Sequence, residues 1–394
     1  MIVGVPKEIK DYEHRVSLVP RTVAGLVSSG IRIVVQSGAG SRSGYSDDEY
    51  SSAGAKTVAS ANDLYANSEL IVKVKEIRID KAEHKLVRPK HTVFGFNHFE
   101  SSRELTEVAI GSGATFISSE KVIDANGQMP LLMPMSKIAG IIGGIWAGFM
   151  HNFAFRHDKS IRFKTGADEV RNRFVSEFER IAEGHLNGSL ESQLSLHDKS
   201  VVIFGGGTVG EAVAKTCSKL GCKLTIVEKQ DTRRRYLDEL HLPRSTITDT
   251  ADFDILRSSS IIVGATYARD KAEQVISDKR LKEISEVRKK IIIDISIDQG
   301  GNFPYVDTTG TSAPAATTNI LNPGMMDFFG NTFVRVPNIP SVVPQFASMA
   351  LSQALSGYVH SIAHGIEKQE IVIATSISHG KVLDRAILEA HNLT

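Results

Sequence analysis

The sequence predicts an α/β protein of two domains, each built on a parallel sheet. Three observations carry this. Short β-branched runs alternate with helical stretches from the first residues onward, and a glycine-rich turn joins an apolar strand to a helix near mid-chain. The chain's 394 residues also exceed what one core ordinarily takes, at about 150 residues per domain. Strands alternating with helices pair in parallel through right-handed crossovers.

In chain order, residues 2–5, 31–36, 70–75, 92–96 and 114–117 read as strands, and 23–28, 49–53 and 102–109 as helices. Open α/β sheets take ligands at the carboxyl ends of their strands. Three residues are candidates there: Arg15 after the first strand, Lys75 ending Leu-Ile-Val-Lys-Val-Lys, and His98 after an aromatic strand. Each has a plain structural alternative, since a terminal lysine can extend to water and a loop histidine can satisfy itself locally.

Residues 129–155 are apolar enough to suggest a membrane span. Pro134, Lys137, His151 and Asn152 interrupt them, which favours a long buried helix, with Ser136 placed to cap it. This helix is expected to lead from the first domain into the second. Residues 158–198 are more polar, with a helical period over 170–182, and carry no assigned chemistry.

Residues 201–204 form an unbroken apolar strand, followed by G-x-G-x-x-G at Gly205, Gly207 and Gly210. In such a turn the first glycine allows the bend. The second lets backbone N–H groups reach a diphosphate, and the third lets the helix, opened by Thr208 and Val209, pack on the strand. The next strand ends in Glu228, 23 residues after Gly205, which suits a carboxylate that binds ribose hydroxyls. That arrangement favours NAD. Lys229 and Arg233-Arg234-Arg235 qualify it, because arginines here can accept a 2′-phosphate, although they also suit a solvated helix start.

A further strand ends at Gly264 and Ala265, small residues expected beside a bound dinucleotide, and another ends at Asp294. Asp298 follows on a glycine-rich loop, where it reads equally as a turn residue or a site residue. The prolines of Asn338-Ile-Pro-Ser-Val-Val-Pro344 predict an extended crossing back to the first domain. Residues 347–364 then read as a helix, and the last thirty or so as packing helices.

A net charge of +1 leaves no electrostatic footprint for nucleic acid or an anionic membrane, so the expected partner is a small molecule. Two cysteines, Cys217 and Cys222, make neither a disulfide framework nor a metal cluster, and no metal site is expected. With no charged-then-apolar leader before residues 1–5, the expected location is cytoplasmic.

Taken together, the chain resembles the alanine dehydrogenase and nicotinamide nucleotide transhydrogenase (alpha subunit) family over nearly its whole length. The residues that carry the likeness are Gly4-Val-Pro-Lys-Glu8 with Arg15-Val16, Ser37-Gly-Ala-Gly40, Ala53-Gly-Ala55, Val72-Lys-Val-Lys-Glu76, Pro130-Leu-Leu-Met-Pro-Met-Ser136, the glycine turn, Ile297-Asp-Gln-Gly-Gly301 and Pro337-Asn-Ile-Pro340. The resemblance implies two Rossmann-like domains, the nucleotide domain (136–344) inserted between two segments of the substrate domain (1–135 and 345–394). It implies that Arg15 and Lys75 hold the substrate's carboxylate or carbonyl, that His98 is the acid/base, and that Asp298 lies at the nicotinamide end. Asn338 joins the substrate set and Ser136 the cofactor set. It implies NAD, an amino acid and 2-oxo acid pair, and a homo-oligomer. The nearest branch is alanine dehydrogenase, because Lys75 and His98 are both present. Pro344-Gln345-Phe346 departs from that branch's usual arginine and threonines, and Ile339 to Pro344 resemble the lysine-forming saccharopine dehydrogenases. A subunit that binds NAD(H) without amino-acid chemistry is the remaining alternative.

Overall fold

The computed structural model describes residues 1–154, 178, 194–267, 273–297, 300–304 and 326–393. The chain divides into two compact units, Met1–Met135 with Val343–Thr394, and Ser136–Val342.

The first unit opens with β1 (Ile2–Val5), α1 (Pro20–Ser28), β2 (Arg32–Gln36), α2 (Asp47–Ser52), β3 (Lys56–Val58), α3 (Ala61–Ala66), β4 (Leu70–Lys75), β5 (Thr92–Phe96), α4 (Arg103–Gly111) and β6 (Thr115–Ser118). β4 is buried from Leu70 through Val74, as a parallel strand covered on both faces should be.

α5 (Leu132–Phe149) follows, and the division between the units falls within it. Pro134 sits in its first turn, where a missing N–H costs nothing. Ser136 is therefore inside the helix, not its cap. Residues 132–152 have the length and composition of a membrane span, yet 67% of the 18-residue apolar window within them is buried in the protein. Glycine explains why. A Cβ on Gly140 would stand 2.3 Å from Val209 O, and one on Gly144 2.6 Å from Thr216 Cβ, so a glycine ridge at i, i+4 spacing lets α5 lie directly on the helix that carries Val209 and Thr216.

The second unit contains β7 (Ser200–Phe204), α6 (Thr208–Lys219), β8 (Lys223–Val227), α7 (Asp231–Glu239), β9 (Ser245–Thr248), α8 (Phe253–Ser258), β10 (Ile261–Gly264), α9 (Asp278–Val287), β11 (Ile291–Asp294), β12 (Met326–Phe328) and β13 (Asn331–Arg335). Its sheet runs β12-β13-β11-β10-β7-β8-β9. From β9 to β13 all pairs are parallel, and only β12 is antiparallel. Reading β7–β9 as strands 1–3, the order is the 3-2-1-4-5-6 of a dinucleotide-binding sheet.

The expected extended crossing at 338–344 is instead a 3-10 turn, Ile339–Val342, leading into α10 (Pro344–Ala363). Pro344 is the first helical residue, where its fixed φ favours the helix. The chain closes with α11 (Gln369–Ala374), β14 (Thr375–Ser378), β15 (Lys381–Val382) and α12 (Arg385–His391). The expectation of packing helices alone is thus corrected by a hairpin. His379 and Gly380 both take positive φ, 48° and 77°, as a two-residue hairpin turn requires.

The first unit's sheet runs β15-β14-β6-β5-β4-β1-β2-β3, again 3-2-1-4-5-6 among its first six strands. β14 pairs antiparallel with β6, so both sheets are mostly rather than wholly parallel.

Candidate functional site

In the first unit the strand order reverses between β1 and β4, the place where an open α/β sheet offers a crevice. Arg15, Lys75 and His98 all belong to that edge: Arg15 on the loop after β1, Lys75 at the end of β4, and His98 two residues past β5. Lys75 pairs with Phe96 across the β4–β5 ladder.

Arg15 is buried, and Glu13 grips it through two bonds, Nε to Oε1 at 2.7 Å and Nη2 to Oε2 at 2.5 Å. The fork that sequence reasoning reserved for the substrate is therefore occupied by Glu13. Nη1 donates to Met135 Sδ at 3.1 Å. A thioether is a weak acceptor, so a carboxylate oxygen in its place would make the stronger bond to Nη1.

His98 adopts the left-handed conformation, φ 49° and ψ 41°, uncommon for a residue with a Cβ. Glu120 holds it there. One carboxylate oxygen accepts the His98 N–H at 2.7 Å and the other the Asn97 N–H at 3.3 Å, and the same carboxylate stands 3.9 Å from Nδ1. The imidazole lies near Phe96, ring centroids 6.3 Å apart at an interplanar angle of 20°. Desolvation at the strand end, and then the Lys75 charge, push the His98 pKa below its ordinary range. Water reaching 41% of the side chain limits how far. Burial likewise raises the Glu120 carboxyl to about 7, against the bond from His98 N–H.

That last shift makes a test. Between the ordinary carboxyl value near 4.5 and about 7, the unfolded chain ionises while folded Glu120 stays protonated, so the native state loses stability as pH rises through this window. Glu120→Gln cannot titrate. Its urea midpoint is expected to gain on the parent's between pH 5 and pH 8; an unchanged difference would show that Glu120 ionises freely when folded.

Burial alone would raise Glu76 as well, but Lys10 at 2.8 Å, and then Lys75, outweigh it and bring it to about 2. The strand end thus keeps a fixed negative charge beside Lys75.

In the second unit the reversal lies between β7 and β10. Gly205 has φ 97°, and a Cβ there would stand 2.4 Å from Ala265 O. A Cβ on Gly210 would stand 1.8 Å from Gly205 O. Gly207 differs from both: it is exposed, a Cβ would meet no protein atom within 4 Å, and no side chain caps α6, which Thr208 and Val209 begin. Two glycines serve the turn, and the third leaves open space over uncapped helical N–H groups.

Glu228 Oε2 accepts the Gly206 N–H at 2.8 Å, and Oε1 the Gln230 N–H at 2.9 Å, so the carboxylate is fixed beside the turn. The arginine run is already engaged. Arg233 donates to Gly206 O, pairs with Glu211 and lies 4.4 Å over the Tyr236 ring, while Arg234 and Arg235 pair with Asp231. Gly264 has a packing reason of its own, since Asn302 Cβ lies 2.6 Å from where its Cβ would be. Asn302 in turn ties Thr266 to Asp294, closing the loop between β11 and residue 302. Asn338 follows β13 with φ 54° and is buried. Asp298 and most of 158–198 lie outside the described residues. No group of three or more potential metal ligands occurs among the described residues.

Sequence models of the alanine dehydrogenase/PNT N-terminal and C-terminal domains match residues 4–139 and 178–385. The chain belongs to the alanine dehydrogenase/PNT family. It is 30% identical to the alanine dehydrogenase of Methanococcus maripaludis, covering all of this chain and 97% of that one, and 28% identical to that of Halomonas elongata with the same coverage. Among solved structures it resembles an L-alanine dehydrogenase with a TM-score of 0.77 at 27% identity, each chain fully covered. A transhydrogenase from Sinorhizobium meliloti shares the fold, with a TM-score of 0.71 at 19% identity over 98% of this chain and all of that one. Members of the alanine dehydrogenase/PNT family are oxidoreductases, and so is this chain.

What sequence reasoning missed are the carboxylates behind the named residues: Glu13 on Arg15, Glu120 under His98 and Glu76 beside Lys75. Glu13 and Glu120 lie in polar stretches, Lys10-Asp-Tyr-Glu-His-Arg15 and Ser118-Ser-Glu-Lys121, that carry no signal of burial.

Proposed function

We propose that this chain is an NAD-dependent alanine dehydrogenase, which converts L-alanine and water reversibly into pyruvate and ammonium. The observation that carries the reading is that Arg15, Lys75 and His98 follow three neighbouring parallel strands, β1, β4 and β5, in a chain alignable end to end with alanine dehydrogenases.

Arg15 binds the substrate carboxylate through the Nη1 edge now facing Met135. Lys75 donates a hydrogen bond to the oxygen that becomes the carbonyl of pyruvate and steadies its negative charge. His98 accepts a proton from the water that attacks the substrate imine, and returns it in the direction of amination. NAD, when bound, takes up the hydride.

The open face of Gly207 and the uncapped start of α6 suit its diphosphate, and Glu228 suits the ribose hydroxyls. The same carboxylate repels a 2′-phosphate, and Arg233, the closest of the arginines to the turn, is already paired with Glu211. NAD is therefore preferred over NADP. The partners are an amino acid and its 2-oxo acid, met in the cytoplasm by a homo-oligomer.

Absorbance of reduced nicotinamide tests this directly. Oxidation of NADH is expected with pyruvate plus ammonium, at least about 10-fold faster than with NADPH at equal concentration, the scale of one misplaced charge. Oxidation only with 2-oxoglutarate plus lysine would replace this reading with the saccharopine one. That alternative rests on Gln345, exposed in the first turn of α10 within about 3.4 Å of where a Gly44 Cβ would stand. NADH binding with neither turnover would leave a binding subunit.

A further inference from the structure

Among the buried carboxylates that the proposed mechanism does not use is Glu8. Glu8 lies just past β1, 4% exposed, in the wall of a recess that it shares with Glu13 and Arg15. Its Oε1 accepts the Val74 N–H at 2.6 Å, and its Oε2 faces Lys73 Nζ at 3.6 Å. Lys73 is fully buried as well and donates to Glu83 at 2.6 Å.

The place of that bond matters. β4 and β5 run in register to Val72 opposite Phe94, and resume at Lys75 opposite Phe96, so β4 carries one extra residue between them. Such a bulge disrupts pairing locally and re-aims the side chain that follows it. Here that side chain is Lys75. Gly95 permits the close approach, since a Cβ on it would stand 3.1 Å from Lys73 O. From the loop after β1, Ser17 Oγ donates to Val72 O at 2.7 Å and Glu8 accepts from Val74, so the loop that carries Arg15 is stapled to β4 on both sides of Lys73.

We propose that Glu8 is a positioning residue: by holding Val74 N–H at the β4 bulge it fixes the direction in which Lys75 leaves the strand and its register with the Arg15 loop. The value of this to catalysis rests on the reading of Lys75 as a substrate-holding group; the geometry does not.

Three substitutions in the full-length chain separate the cases. Glu8→Gln keeps the length and an oxygen acceptor for Val74. Glu8→Asp keeps a carboxyl and shortens its reach, and Glu8→Ala removes the acceptor. Lys75 is followed by its rate of modification with methyl acetimidate, read by peptide mass spectrometry against exposed Lys381. In Asp and Ala the Lys75 rate is expected to change by about 5-fold, the scale of one lost hydrogen bond, and in Gln to stay close to the parent. With pyruvate and ammonium, kcat/KM is expected to fall on the order of 10²-fold in Asp and Ala, with KM for NADH unmoved, as misplacing a substrate group does. Glu8→Asp decides the matter even if Ala fails to fold. Parent-like labelling of Lys75 in Asp overturns the proposal. Full turnover in Lys75→Ala would instead refute the substrate reading, while the labelling still decides the role of Glu8.

Discussion

Replacing His98 or Lys75 with alanine is expected to lower kcat/KM for L-alanine by about 10³-fold or more, with the NADH dissociation constant within about 2-fold of the parent. The split follows from where the residues sit. Both lie at strand ends of the first unit, whereas the glycine turn and Glu228 belong to the second. His98 adds a pH signature. Because burial and Lys75 lower its pKa, the imidazole stays neutral further into acid than an ordinary histidine. Deamination needs that neutral base, so its kcat/KM is expected to hold as pH falls through 6.5 and to drop only below. Amination needs the imidazolium, so it is expected to keep rising as pH falls through the same range. Steady-state profiles in the two directions check the sign; a deamination limb centred above 6.5 would mean that His98 is raised by its carboxylate neighbours or is not the base. Near-parent turnover in either alanine variant would remove that residue from the mechanism.

How much of this the sequence disclosed depended on the kind of signal. β1, β4 and β5 have the bounds their apolar runs imply, because a strand covered on both faces is largely apolar, with the ion-paired Lys73 of β4 as the exception. β3, only Lys56-Thr57-Val58 at the sheet's edge, is too short to carry a period, and β9 is polar and half-buried. The closing hairpin is hidden because β14, though paired on both sides, holds a single apolar residue, Ile377, between Ser376 and Ser378, too little to show an alternation. Ser136 was misplaced for a different reason. Pro134 looked like a break before the helix, whereas proline is welcome in a first turn.

At the site, the residues that would touch substrate were visible because arginine, lysine and histidine stand out after an apolar strand. Glu8, Glu13 and Glu120 were not. Their partners are backbone N–H groups and a neighbouring side chain, and nothing in a sequence marks which carboxylate will find an N–H left over by a bulge or a left-handed turn.

The glycine turn offers the second large effect, because two of its glycines are required for different physical reasons. At Gly207 a Cβ meets no protein atom within 4 Å, so Gly207→Ala is expected to leave the melting temperature within about 2 °C of the parent. It nevertheless occupies the space assigned to the diphosphate, and the NADH dissociation constant is expected to rise by about 10- to 100-fold. At Gly210 a Cβ would lie 1.8 Å from Gly205 O, deep inside contact distance, so α6 must move away from β7. Overpacking of this kind costs about 1–3 kcal/mol or more, and Gly210→Ala is expected to lose about 5–10 °C in melting temperature and NADH affinity with it. Calorimetry with and without NADH separates them: one substitution harms only the complex, the other harms the free protein too. If Gly207→Ala bound NADH as the parent does, the diphosphate would have to lie elsewhere, and the role assigned to the turn would fall with it.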